Sequence, residues 1–198
     1  RQAAGELPCF TRRRSCELAR EEAERLILLI TNLLDVTRLE AGALKVSRQP
    51  CDVEDIAGAA LEQSGGRSDN RPIQTDLPKE LPFVCVDFGL TVQVLVNILE
   101  NAFKYSPPDS PVEITGRQVG QQVEIEVADR GAGIPPEDLV RVFDKFYRVQ
   151  RPDNVAGTGL GLAICKGLVE SQGGRIAAEN RPGGGTIVRL SLPVAEAS

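Results

Sequence analysis

Hydrophobic residues in the first quarter of the chain recur at the spacing of one helical face. This spacing predicts an amphipathic helix over residues 16–46, and glutamates in its first turns suit the helix dipole. Its apolar face either packs on the chain's own core or pairs with other helices in a bundle. Residues 1–16 lack such periodicity, and we expect them to be poorly ordered. The apolar positions are Leu26, Leu29, Ile30, Leu33 and Val36.

Beyond this helix, short stretches that alternate apolar and polar residues are interspersed with further amphipathic helices. The residue before Pro50 disfavours helix, so residues 47–50 are predicted to be a linker. Asp52 and Asp87 stand where N-caps are expected for the next two helices. The mixture predicts an α+β fold, built as a two-layer α/β sandwich. The predicted helices cover residues 53–63, 88–104 and 160–172, and the predicted strands cover residues 72–75, 83–86, 112–115, 122–127, 175–179 and 186–192.

The composition is that of an ordinary globular protein, with 41% hydrophobic and 26% charged residues. The net charge of −5 argues against a nucleic-acid partner. The five cysteines are scattered, so a reducing, cytoplasmic location fits best. No apolar run is long enough to span a membrane. The chain starts at Arg1 and contains no methionine. We therefore expect a fragment or a processed product, whose parent could carry sensors or a membrane anchor.

The predicted helix over residues 88–104 carries polar side chains roughly opposite its apolar stripe. Asn97, Asn101 and Lys104 are spaced i, i+4 and i+7, so they share one face. Two amides and an amine can hold a hydrated magnesium ion and its phosphates, because magnesium prefers oxygen ligands and keeps several waters. A polar stripe that simply faces solvent is the alternative.

Two glycine-rich segments offer further candidate chemistry. Asp129 follows a strand and precedes Gly131 and Gly133, which let a backbone approach a ligand closely. A plain tight turn is the alternative there. Residues 157–162 (GTGLGL) open a helix, where free backbone N–H groups favour phosphate. Residues 151–156 before them form no apolar strand, which argues against a dinucleotide-binding fingerprint.

Four short segments, taken together and in order, resemble the N, G1, F and G2 boxes of the sensor histidine kinases. This family belongs to the GHKL/Bergerat ATP-binding superfamily, and the segments look most like its potassium- and turgor-sensing branch. A further run at residues 33–42 (LLDVTRLEAG) resembles the end of the family's second dimerisation helix, which favours the bundle interpretation of the first helix. The four segments are residues 97–101 (NILEN), 129–133 (DRGAG), 143–147 (FDKFY) and 157–161 (GTGLG).

The resemblance implies a Bergerat fold, with a mixed sheet and helices on one face, that binds ATP and Mg²⁺. It implies a partial dimerisation and phosphotransfer region in residues 1–48. A catalytic ATP-binding domain would follow in residues 49–198.

The resemblance also implies roles for individual residues. Asn101 would bind magnesium, and Asn97 and Lys104 would act on the phosphates as the catalytic residues. Asp129 would accept a hydrogen bond from the adenine amino group. An aromatic hinge in the F box would close a mobile lid that includes residues 151–156. The other residues of the implied nucleotide site are Tyr105, Gly131, Gly133, Ile134, Arg148, Gly157, Thr158, Gly159, Leu160, Gly161, Leu162 and Thr186.

The chain contains no histidine, which is the residue that the family phosphorylates. Either the chain is a fragment without its acceptor helix, or it phosphorylates a histidine elsewhere, or it signals without one. The implied partners are a histidine-bearing dimerisation helix, in the same parent or in trans, a response regulator, and a second copy in a parent homodimer.

Asn97 stands where hydrolytic relatives of the superfamily carry a glutamate base, which favours phosphoryl transfer over hydrolysis. Two functional alternatives to a kinase module stay open. One is a nucleotide-gated interaction module without kinase activity. The other is a serine kinase or anti-sigma factor of the same superfamily.

Overall fold

The computed structural model describes residue 26 and residues 30–65, 71–150 and 157–196. Its two layers are a mixed β-sheet and a layer of helices, so the predicted α/β sandwich is confirmed. The predictions of a poorly ordered start, of helix before residue 26 and of a lid over residues 151–156 lie outside the described residues.

Every helix and strand predicted between residues 53 and 192 is present, with boundaries shifted by a few residues. The largest extension is in β4, which reaches Val119 because its antiparallel pairing with β5 continues to the connecting turn. The helices are α1 (residues 30–40), α2 (Val53–Ser64), α3 (Phe88–Tyr105) and α4 (Gly161–Ser171). The strands are β1 (Gln49–Cys51), β2 (Ile73–Asp76), β3 (Val84–Val86), β4 (Val112–Val119), β5 (Gln122–Ala128), β6 (Arg175–Asn180) and β7 (Thr186–Pro193).

Helix α1 ends at residue 40, so the prediction that it continues to residue 46 is wrong. Gly42 adopts φ +61°, a left-handed conformation that glycine takes without a Cβ penalty. The backbone N–H of Ala43 donates to the carbonyl oxygen of Arg38 over 3.0 Å, which satisfies one of the last helical carbonyls. Gly42 is therefore the stop signal of the helix.

The predicted linker over residues 47–50 is also partly wrong, because Gln49 to Cys51 form β1. This strand pairs antiparallel with β3 in a separate two-stranded sheet. Cys51 and its partner Val84 are buried. Pro50 is tolerated because a short strand with one neighbour needs few backbone donors.

The main sheet has the strand order β2-β4-β5-β7-β6, in which β2 and β4 are parallel and the other pairs are antiparallel. Helices α2, α3 and α4 share one hydrophobic core with one face of this sheet. Asp52 and Asp87 cap α2 and α3 as predicted, each through its carboxylate. The predicted buried stripe of α3 is confirmed, and it consists of Val94, Leu95, Ile98, Leu99 and Ala102.

Helix α1 lies against helices α3 and α4 rather than apart from them. Val36 is buried, and the Asp35 carboxylate accepts a 2.8 Å hydrogen bond from the side chain of Gln93 in α3. The predicted apolar stripe is split, because Leu26, Ile30 and Leu33 are 53–60% exposed. Pairing of this exposed part in a bundle stays a prediction. Within the described residues, none of the helices combines the length and apolar character that a bilayer crossing requires.

Candidate functional site

One cleft of about 510 Å³ opens between α3, the ends of β5 and β7, and the start of α4. It gathers parts of all four segments that the sequence analysis singled out. Thirteen of the sixteen predicted site residues line it. These thirteen are Asn97, Asn101, Lys104, Tyr105, Asp129, Ile134, Arg148, Gly157, Thr158, Gly159, Gly161, Leu162 and Thr186.

Helix α3 supplies the polar wall of the cleft. Asn97, Asn101 and Lys104 all line it, which is the shared face that their spacing predicted. The side-chain amide of Asn97 donates to the carbonyl oxygen of Gln93 over 3.1 Å, which fixes the orientation of its side chain. The Lys104 amine lies 5.1 Å from the centre of the Tyr105 ring, within the range of a cation–π contact.

Asp129 lines the cleft directly after β5, beside the C-terminal end of α3, where the loop after Asp129 meets the Tyr105 carbonyl. Its side chain is 7% exposed, and one carboxylate oxygen accepts from the backbone N–H groups of Gly131 at 2.7 Å and Thr186 at 3.2 Å. The backbone N–H of Asp129 donates in turn to the carbonyl oxygen of Thr186 over 2.9 Å. The carboxylate is therefore held in one orientation by two neighbouring backbone segments.

Three predicted site residues do not line the cleft, but they support the loops and the helix that form its walls. A methyl group on Gly131 would collide with the carbonyl oxygen of Tyr105, so only glycine fits between α3 and this loop. Gly133 has φ +74° and precedes Ile134, whose backbone N–H donates to Asn180 over 2.8 Å. Leu160 is 3% exposed and belongs to the hydrophobic core.

The chain before residue 151 and the chain after residue 156 are joined by a backbone hydrogen bond. The backbone N–H of Phe146 donates to the carbonyl oxygen of Gly159 over 2.9 Å. Both residues have positive φ, +63° for Phe146 and +71° for Gly159. A Cβ on Gly159 would lie 2.7 Å from the Phe146 carbonyl carbon, so the join requires glycine. A Cβ on Gly157 would similarly lie 2.8 Å from the Lys104 amine, and the glycine leaves that amine accessible.

Of the predicted aromatic hinge, only Tyr147 lines the cleft. Its hydroxyl is hydrogen-bonded to Asp138, and the Arg141 guanidinium lies 4.2 Å from its ring centre. The hydrogen bond to Asp138 raises the pKa of Tyr147 above its usual value. Phe146 points outward and is 67% exposed. The three aromatic residues of the predicted hinge therefore differ: Tyr147 is at the cleft, Phe146 is at the surface, and Phe143 is half-buried away from the cleft lining.

Sequence reasoning missed the apolar walls of the cleft and two of its polar residues. Val127 and Val188 could have been found, since each is an inward-facing position next to Asp129 or Thr186 at a strand end. Glu100 lies on α3 beside the predicted polar face. Asn32 comes from α1, and no local pattern connects that helix with the cleft. The other apolar lining residues are Ile98, Ala102, Phe103, Val142 and Val149.

Asn101 is the cleft residue that could hold a magnesium ion bound together with phosphates. The described residues contain no group of three or more His, Cys, Asp or Glu side chains that could hold a metal ion. Asn101 lines the cleft, and its carboxamide carries one oxygen that can act as a ligand. One such oxygen is enough for magnesium when phosphates and waters supply the remaining ligands.

A mixed sheet backed by helices, with the four segments around one cleft, defines a catalytic domain of the ATPase type. Residues 87–196 match the family described as "Histidine kinase-, DNA gyrase B-, and HSP90-like ATPase". The sensor protein KdpD of Escherichia coli (strain K12) is 39% identical over 166 residues, covering 83% of this chain and 18% of that protein. The sensor-like histidine kinase SenX3 of Mycobacterium tuberculosis (strain ATCC 25618 / H37Rv) is 38% identical over 187 residues, covering 92% of this chain and 45% of that protein.

Solved structures agree with this assignment. The crystal structure of full-length ShkA in complex with AMPPNP superposes with a TM-score of 0.80 at 28% identity, covering 98% of this chain and 41% of that one. The mycobacterial sensor histidine kinase MprB gives a TM-score of 0.68 at 28% identity, covering 76% of this chain and all of that one.

The chain belongs to the family of histidine kinase-, DNA gyrase B- and HSP90-like ATPases, whose match covers more than half of it. It is a catalytic module homologous to sensor histidine kinases, and the predicted resemblance, including its KdpD-type branch, is confirmed. The chain spans about a fifth of the length of the first curated relatives that it matches.

Proposed function

We propose that this chain is the ATP-binding catalytic module of a two-component sensor histidine kinase, and that it transfers the γ-phosphoryl group of ATP to a histidine outside the chain. One observation carries the proposal: a carboxylate fixed by two backbone amides lies at the Tyr105 end of the cleft, and the polar face of α3 runs from there to Asn97 at the other end. These two ends suit the base and the phosphates of one nucleotide.

The adenine would lie at the Asp129 end. The Asp129 carboxylate is an acceptor for the adenine amino group, and the backbone amides that orient it keep that acceptor in place. Val127 and Val188 line the cleft near this end and can pack against the flat faces of a base. Thr186 and Ile134 complete the surroundings of the base.

The phosphates would lie between α3 and the start of α4. Lys104 and Asn97 supply donors from α3, and the residues from Gly157 to Gly161 supply backbone N–H groups at a helix N-terminus. Arg148 lines the same region. Asn101 would hold a magnesium ion, which would supply positive charge to neutralise the phosphates.

The cleft favours transfer over hydrolysis. The Asn97 carboxamide cannot act as a general base at physiological pH, so it positions groups and does not activate water. Glu100 is the carboxylate that lines the cleft on α3 itself. We therefore expect ATP hydrolysis by this chain to be slow.

The acceptor must come from another chain or from a longer parent, because this sequence has no histidine. We propose a histidine-bearing dimerisation helix as the direct partner, with a parent homodimer, a response regulator downstream and a cytoplasmic location of the module. Residues 1–48 would belong to the dimerisation region and residues 49–198 to the catalytic domain.

A phosphotransfer assay tests the proposal. The chain is incubated with γ-labelled ATP, magnesium and a separate dimerisation domain that contains histidine, and a histidine-to-alanine version of that domain is the control. We expect acid-labile, alkali-stable label on the histidine domain and none on the control or on the chain itself.

Two other results would contradict the kinase proposal. Acid-stable label on a protein substrate would support the serine-kinase alternative. Firm ATP binding without label on any histidine domain tested would support the nucleotide-gated interaction module.

A further inference from the structure

Helix α1 contributes one polar side chain to the cleft, and this side chain has no other assignment. Asn32 lines the cleft and is only 4% exposed. Across the part of the chain that the structure describes, its carboxamide forms no hydrogen bond. The carboxamide is not a buried orphan, because within the described residues the buried side-chain atom without a hydrogen-bond partner belongs to Arg181. It is therefore open to the space of the cleft. Its position in the cleft wall makes a bound ligand the available partner.

The contacts of α1 show which end of the cleft Asn32 faces. Asp35 lies three residues further along α1, on the same helical face, and accepts from the Gln93 side chain over 2.8 Å. The backbone carbonyl of Gln93 in turn accepts from Asn97. Asn32 therefore reaches the cleft at its Asn97 end, away from Asp129.

Two further contacts hold α1 in this position. A Cβ on Gly167 of α4 would lie 2.7 Å from a methyl carbon of Leu39, so the absence of a side chain there lets the two helices approach closely. Glu40 forms an ion pair with Lys145, which directly precedes Phe146. Asn32 is thus presented by a helix that is anchored along its last two turns.

We propose that Asn32 is a ligand-binding residue that donates a hydrogen bond to the terminal phosphate of a bound nucleoside triphosphate. The inference rests on the proposed function, since it takes the phosphates to lie at the Asn97 end. The terminal phosphate is the group farthest from the base, and so the one nearest to α1. A carboxamide donor suits a phosphate oxygen, and a hydrogen bond to a charged group is stronger than one between neutral groups.

One consequence is that α1 distinguishes triphosphate from diphosphate. A diphosphate lacks the group that Asn32 would contact, so its affinity gains nothing from the docked helix. By linkage, a bound triphosphate favours the docked position of α1 by the same free energy that Asn32 adds to triphosphate binding. Transfer of the terminal phosphate would remove the contact with Asn32 and so make the docked position of α1 less favourable.

Calorimetric titrations of the whole chain test the inference. Wild type, Asn32→Ala and Asn32→Asp are each titrated with ADP and with the β,γ-imido analogue of ATP, in magnesium. Thr37→Ala is the matched control, because Thr37 lies on the same helix, is exposed and hydrogen-bonds only to its own helix, at the Leu34 carbonyl. Thermal unfolding of each variant shows that α1 and the core are intact.

We expect Asn32→Ala to weaken binding of the triphosphate analogue about tenfold, equal to about 1.4 kcal/mol, with ADP affinity unchanged. Asn32→Asp should weaken it further, because a carboxylate repels the terminal phosphate at close range. Thr37→Ala should match wild type with both nucleotides.

Other outcomes overturn the inference. An equal loss of affinity for both nucleotides would show that Asn32 only supports the packing of α1. An unchanged affinity for both would show that Asn32 does not contact the ligand. Both results leave the proposed function standing, provided that wild type binds nucleotide. Failure of wild type to bind either nucleotide would instead overturn the proposed function together with this inference.

Discussion

At the scale of single residues, Asn101 carries the magnesium prediction. It lines the cleft one turn after Asn97 and one turn before Lys104, so its amide oxygen can face an ion held between the two. We expect Asn101→Ala to weaken ATP binding in magnesium by about 1–3 kcal/mol, the range for losing a polar contact to a charged group.

The comparison that decides this prediction is between titrations with magnesium and titrations in a chelator. Only the magnesium-dependent part of the affinity should fall in Asn101→Ala. A loss of the same size with and without the metal would show that Asn101 binds the nucleotide directly or supports the fold.

Single residues also show how much of the candidate site could be predicted from the sequence. The spacing of Asn97, Asn101 and Lys104 was sufficient to place them on one wall of the cleft, because helical periodicity is a local property. Asn32 could not be predicted as a cleft residue, because its position depends on the docking of α1 against α3 and α4. Leu160 lies within a glycine-rich motif yet packs in the core.

At the scale of elements, the turn between β6 and β7 supports the Asp129 end of the cleft. Gly185 has φ +106°, and a methyl group there would collide with the carbonyl oxygen of Asp129. Gly183 in the same turn has φ +86° but open space around its missing Cβ. We expect Gly185→Ala to lower the free energy of unfolding by more than the ~1–2 kcal/mol that left-handed backbone alone costs.

Gly183→Ala is the matched control for that substitution. It should cost only the conformational penalty, and it should leave ATP affinity unchanged, whereas Gly185→Ala should weaken ATP binding because the Asp129 carboxylate is displaced. Chemical denaturation and calorimetry measure the two effects. Equal destabilisation by both substitutions would argue that the close approach of the turn to Asp129 has no energetic role.

A charged cluster on the outer face of the sheet predicts a pH-dependent stability. Glu113 of β4 accepts from Arg181 at 2.7 Å and from Arg130 at 3.1 Å. The hydrogen bond from Arg181, reinforced by Arg130, holds the pKa of Glu113 below its usual value. A carboxyl group with a lowered pKa in the folded state stabilises the fold above its unfolded pKa, and this contribution is lost as the pH falls through the folded pKa.

We therefore expect Glu113→Gln to lower stability at neutral pH and to match wild type in acid below the folded pKa of Glu113. Glu62→Gln is the control, because Glu62 is exposed on α2. Thermal unfolding across this pH range measures the difference. A destabilisation by Glu113→Gln that does not change with pH would contradict the ionic origin of the contribution.

Two elements were mispredicted from the sequence, and each error has its own physical cause. The pattern of α1 continues past its true end, and the single glycine at position 42 stops the helix through its left-handed backbone. Strand β1 is three residues long and contains Pro50, so it has too little pattern to be recognised alone. It exists because β3 is there to pair with it.

At the scale of the whole molecule, helix α1 lies outside the ATPase-type region and yet contributes to the wall of the cleft. The family match begins at residue 87, whereas α1 ends at residue 40. The two are joined through Asp35 and Gln93, Leu39 and Gly167, and Glu40 and Lys145. Periodicity and motifs predicted the layers of the fold, but this docking is a tertiary contact that no local pattern encodes.

Every functional claim above depends on adenine nucleotide binding with Asp129 at the base, and one calorimetric comparison tests it. Wild type should bind ATP and ADP with a Kd in the micromolar to millimolar range. Asp129→Asn should lose about 1–3 kcal/mol of that binding free energy, because a neutral carboxamide has one acceptor oxygen in place of the two of a carboxylate. Asp52→Asn, which keeps an N-cap far from the cleft, should bind as wild type does. Unchanged ATP affinity in a folded Asp129→Asn variant would contradict the account.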